Sequence, residues 1–158
     1  MRTRRPTRWE DQPVPVRVRL AATWTSLVLL YAYVDILNFF TPGVVEEILD
    51  GRVFEFALSE TFSTGALALM SVPILMVVLS ASLPAPVNRV VNLVVALLYV
   101  PVTVFNVVGE SWLYFYGLGV AVELVLLALV VRWAWTWPRS VPTAAVPDRA
   151  AVRTPQQA

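Results

Sequence analysis

Three polar side chains, Tyr31, Asp35 and Asn38, recur at i, i+4 and i+7 inside a run of otherwise apolar residues. In a helix that spacing sets all three on one face. A later apolar run carries Asn88, Asn92, Tyr99 and Asn106 at intervals of four, seven and seven, again a single stripe. The two stripes are expected to meet. Asp35, Asn38, Asn106 and Glu110, with Glu60 and Ser63 at the start of another run, fall at one level and would converge as carboxylate, amide and hydroxyl oxygens. Oxygen donors without nitrogen or sulfur suit a proton, Na⁺, a hard divalent cation or the polar head of a ligand. The alternative is structural: Asn and Tyr hold helices together by hydrogen bonds, and Asp35 is neutral or paired by Asn106 or a tyrosine. Glu123 stands apart, near the middle of its own run, on a face shared with Tyr116 and Gly119. A proton relay is one reading of it. Packing among helices, or at an oligomer interface, is the other.

Much chemistry is excluded by what is missing. The chain has no cysteine and no histidine, which removes disulfides, thiolate catalysis and the usual zinc and haem ligands. All twelve basic residues are arginine, so no lysine is present to form a Schiff base. No metal site and no cofactor are expected. A net charge of +1 gives no general case for nucleic acid.

The elements that must position these residues follow from composition. Hydrophobic residues make up 58% of the chain and charged residues 15%, against about 45–50% and about 25% in soluble domains. A soluble fold of 158 residues has no interior large enough to hide such a surplus. The pattern predicts an all-α transmembrane four-helix bundle. The first span runs over 20–40, about 30 Å of helix at 1.5 Å per residue, and ends at Thr41-Pro42-Gly43. Further spans are expected over 62–83, 87–108 and 112–133, with Pro73 and Pro101 bending the second and third. Gly109-Glu110-Ser111 is short enough to force the last two into a tight antiparallel hairpin.

Between the first two spans, residues 44–60 mix acids with Val44, Val45, Ile48, Leu49, Val53 and Phe54. Their spacing predicts a short interfacial helix, with an ordinary polar loop as the alternative. Residues 1–19 read as a disordered basic arm that meets anionic lipid, and residues 138–158 as a disordered tail. Trp133, Trp135 and Trp137 with Arg132 and Arg139 form an interfacial belt.

Orientation comes from arginine. Arg52 alone falls on one side of a four-span arrangement, and the other eleven fall opposite. Because arginine in short flanking segments favours the cytoplasm, both termini are expected there, with an inner (plasma) membrane location. A cleaved signal peptide competes for the first span, but the run is long and no small-residue cleavage site follows it.

Tyr31 four residues before Asp35-Ile36-Leu37, then Thr41-Pro42-Gly43, Val72-Pro73-Ile74 in the second span and Asn88-Arg89 opening the third resemble an uncharacterised family of small bacterial four-helix membrane proteins. The resemblance covers roughly residues 20–137. It implies the architecture, marks Asp35 as the residue of most interest, and carries no activity. Helix number and size alone resemble the DoxX-like proteins, with no cofactor motif to match. The leading expectation is a non-enzymatic protein that binds a partner subunit, a lipid or a cation through its polar face, alone or as a homo-oligomer. An oligomeric proton or ion pathway past Asp35, Glu110 and Glu123 is the alternative. An intramembrane enzyme is third, since no paired catalytic motif is present.

Overall fold

The computed structural model describes residues 12–53, 55–108 and 112–138. The expectations for residues 1–11, for the Gly109 turn with Glu110, and for residues 139–158 lie outside the described residues. Four long helices carry the architecture: α1 (Val16–Asn38), α3 (Glu60–Ser82), α4 (Ala85–Phe105) and α5 (Leu113–Trp135). Each is apolar and long enough to cross a bilayer. Between α1 and α3 lie a short helix α2 (Val44–Leu49) and a two-stranded hairpin, β1 (Arg52–Val53) and β2 (Phe56–Ala57).

The first span begins at Val16 rather than Leu20. Pro15 occupies its N-cap, and Arg17 and Arg19 therefore sit in its first turn, where a long side chain can carry its charge toward the headgroups. Arg17 also donates from Nη1 to the Ala81 carbonyl at the far end of α3, 3.3 Å away. That contact makes α1 and α3 antiparallel. Ser59 caps α3, its hydroxyl accepting from the Phe62 N–H. Pro73 and Pro101 lie within α3 and α4.

The interfacial segment is helical over six residues only. Gly43, at φ +90°, turns the chain into α2, and Gly51, at φ +76°, turns it out again. Both conformations favour glycine because a Cβ crowds the backbone there. The chain then closes the hairpin with Arg52 opposite Ala57 and Val53 opposite Phe56. The hairpin was not expected from the sequence. Its strands are only two residues long, too short for alternation to show.

Helix α1 packs against α3 and α5, and α4 packs against α5 and more lightly against α3. Helices α1 and α4 therefore face each other across the diagonal. The start of α1 and the end of α5 lie at the same end of the assembly, since Asn38 at the end of α1 bonds Tyr116 at the start of α5. The distribution of polarity is inverted relative to a soluble protein. Leu29, Ile36, Leu67, Leu75, Leu97 and Leu118 are exposed, whereas Ser80, Asn88, Asn92, Thr103 and Glu123 are buried. An outward apolar surface of this extent suits hydrocarbon and not water.

Candidate functional site

The buried polar residues form two groups. The first lies in the half of the helices nearest the start of α1. Asn88, Asn92, Ala96, Tyr99 and Thr103 are the buried stripe of α4. Trp24 of α1 reaches across the diagonal and donates from Nε1 to Asn92 Oδ1 at 2.7 Å, and Ser80 of α3 donates its hydroxyl to the same oxygen at 3.1 Å. Asn92 Nδ2 donates to the carbonyl and to the side-chain oxygen of Asn88, and Asn88 Nδ2 donates to the Ser80 carbonyl. Trp24 also meets Tyr99 edge to face at 6.4 Å, while the Tyr99 hydroxyl donates to the Leu69 carbonyl. Apart from Thr103, this group is closed upon itself: Trp24, Ser80, Asn88, Asn92 and Tyr99 bond to one another or to nearby carbonyls, which is what buried polar groups in hydrocarbon require.

The second group is open. A partly open cavity of about 350 Å³ lies toward the α2 end. It is lined by Tyr31, Asp35 and Asn38 from α1, Asn106 at the end of α4, and Tyr116, Gly119 and Glu123 from α5. The expected stripe of α1 therefore faces a cavity. Asn106 at the end of α4 lines the same cavity, and Trp24, two turns before Tyr31, makes the direct hydrogen bond from α1 to the α4 stripe at Asn92. Asn38 Oδ1 accepts from the Tyr116 hydroxyl at 2.6 Å. Asp35 is exposed along the cavity wall and has no ion pair or hydrogen bond among the described residues. Asn106 caps α4 just beyond its last helical turn and is half-buried. A Cβ at Gly119 would make an ordinary contact with Val34 Cγ2 of α1 at 3.4 Å, and Gly117 has open space beside it. Glu60 and Ser63, expected at this level, are exposed and do not line the cavity.

Glu123 is the deepest of these groups, 2% exposed and midway along α5. The Tyr31 and Thr103 hydroxyls flank its carboxyl, yet none of the three reaches hydrogen-bond geometry. Tyr31 Oη, Thr103 Oγ1 and Glu123 Oε2 are all buried without a partner. Such orphans are rare in folded proteins, and a bound water, ion or ligand is one way to satisfy them. Thr103 was not singled out from the sequence, although it lies four residues beyond Tyr99 on the same stripe.

Apolar residues complete the cavity. Phe62, Leu69 and Met70 come from α3 and Phe105 from α4, while Val53 and Phe56 reach in from the hairpin. Phe56 and Phe62 stack at 5.7 Å with 25° between their rings, which ties the hairpin to the cavity wall. The unexpected hairpin thus contributes directly to the site.

Four hydrocarbon-length helices with polar groups turned inward define a multi-pass membrane protein. Over residues 8–143 the chain matches the family of unknown function DUF6326, and it belongs to that family. No curated protein and no solved structure matches it.

Proposed function

We propose that this chain is a membrane-embedded binding protein whose cavity takes the polar end of a small amphipathic molecule. The observation that carries this reading is the pairing of a cavity at the α2 end with buried, unpartnered oxygens of Glu123 and Tyr31 in its wall. A volume of about 350 Å³ falls within the roughly 300–1,000 Å³ of small-molecule sites, which are mostly apolar with a few placed polar groups. A hard cation is less well served. Among the described residues no three Asp or Glu side chains come together, and Asp35 and Glu123 alone offer few of the six or more oxygens such ions take.

The membrane is the bacterial inner membrane in this reading, with both chain ends in the cytoplasm and the cavity toward the outer leaflet. The arginine bias supports that orientation. A pathway for protons or ions through one protomer is disfavoured by the matched hydrogen bonds of Trp24, Ser80, Asn88 and Asn92, which close the other half. The layout shared with DoxX-like proteins adds no residue to the argument.

The test uses the full chain in nanodiscs and three probes of one shape: 2-phenylethylammonium, 2-phenylethanol and propylbenzene. At least one should raise the melting temperature saturably, and Ala66→Phe, which fills the cavity wall, should abolish the effect. No saturable shift with any probe, or equal shifts in Ala66→Phe, would overturn the reading.

A further inference from the structure

Resting on that cavity, we infer that its ligand carries a protonated amine on an apolar, aromatic-sized body. The two titratable carboxyl groups among the lining residues are Asp35 and Glu123. Among the described residues no arginine lines the cavity, and the chain has no lysine or histidine. Arg17 is committed to the Ala81 carbonyl, and Arg89 stands over the Trp135 ring at 5.5 Å, both at the opposite end of the helices. Arg52, in the hairpin, is exposed and outside the lining. An anionic ligand would therefore find carboxyl groups and no compensating cation among the described lining residues.

The hydrogen-bonding inventory points the same way. Glu123 Oε2 is unpartnered, and so are the Tyr31 and Thr103 hydroxyls beside it, each of which can accept as well as donate. The Tyr116 hydroxyl proton is already given to Asn38. What the site lacks is N–H or O–H donors carrying positive charge, and an ammonium supplies three. Rings of Tyr31, Phe56, Phe62, Phe105 and Tyr116 line the same space, and aromatic faces attract a cation as well as an apolar body. A charge-assisted hydrogen bond to a carboxylate is about twice as strong as a neutral one.

The same three probes discriminate, measured by melting shift in phosphatidylglycerol nanodiscs. The ammonium should bind at least about tenfold tighter than 2-phenylethanol, one decade per 1.4 kcal/mol. Glu123→Gln should remove that advantage while changing affinity for the alcohol less than about threefold. Glu46→Gln, exposed on α2 and away from the cavity, should change neither. If all three probes bind alike and lose binding in Ala66→Phe, the amine inference fails and the cavity reading survives. If none binds, the cavity reading itself fails. Where Glu123→Gln does not fold, Asp35→Asn in the exposed wall position must weaken the ammonium selectively, and an unchanged preference overturns the inference. Adding phosphatidylethanolamine separates the two sources of an ammonium: competition assigns it to a lipid headgroup, its absence to a free amine.

Discussion

Replacing Asn92 by leucine keeps the approximate volume of the side chain and removes the junction of the polar group between α1, α3 and α4. Three hydrogen bonds to other side chains are lost: Trp24 Nε1 and Ser80 Oγ no longer have Oδ1 to donate to, and Asn88 Oδ1 loses its donor. Ser80 can recover by turning to a carbonyl one turn back in its own helix, as Thr23, Ser26 and Ser71 do here. The indole N–H of Trp24 and the Asn88 oxygen are fully buried and cannot. Interhelical polar contacts in membranes are worth about 0.6–1.7 kcal/mol, and a stranded buried group costs about 1–3 kcal/mol, so Asn92→Leu should destabilise by about 2–4 kcal/mol. Trp24→Phe combined with it should be less damaging than the two singles summed, with a coupling of about 1 kcal/mol. Unfolding in mixed micelles of increasing SDS fraction, followed by far-ultraviolet circular dichroism, measures both. A single variant within about 0.5 kcal/mol of the parent, together with no coupling, would refute the diagonal contact between α1 and α4.

Glu123→Leu should do the reverse, raising stability by about 1–3 kcal/mol in the same assay, because it removes a buried oxygen that has no partner. A loss of stability would mean that the carboxyl is held by a strong partner within the fold. Ser59→Ala should cost about 1 kcal/mol through the lost cap of α3. Gly43→Ala should cost about 1–2 kcal/mol for forcing a Cβ into the left-handed region; a neutral result would contradict the α3 cap in the first variant and the turn into α2 in the second.

The four spans were legible because a run of apolar residues long enough to cross hydrocarbon has few other uses, and the breaks at Pro42-Gly43 and Pro84 are strong. The start of α1 was not, because Arg17 and Arg19 read as arm until Pro15 is seen to cap a helix whose first turn reaches the headgroups. Tyr31, Asp35, Asn38 and Asn106 line one cavity, and Glu123, which spacing set apart from them, lines it too. The α1 stripe shares its cavity with Asn106 at the end of α4 and also with Tyr116, Gly119 and Glu123 of α5, and helical phase says which residues share a face but not every helix that face meets. Trp24 escaped notice because a tryptophan in an apolar run looks lipid-facing, and its N–H reveals its role only when Asn92 lies opposite. Thr103 and Phe56 escaped for related reasons: one is a mild polar residue within a helix, the other belongs to a hairpin too short to leave a pattern.

The account depends most on α1 and α5 beginning and ending at the same membrane face, with α2 and the cavity opposite. The chain contains no cysteine, so single cysteines at Gln12, Glu47 and Thr136 can be labelled without background. A membrane-impermeant maleimide applied to intact spheroplasts should modify Glu47→Cys and reach Gln12→Cys and Thr136→Cys only after permeabilisation. Labelling of Gln12→Cys and Thr136→Cys from opposite faces, or of all three from one, would contradict it.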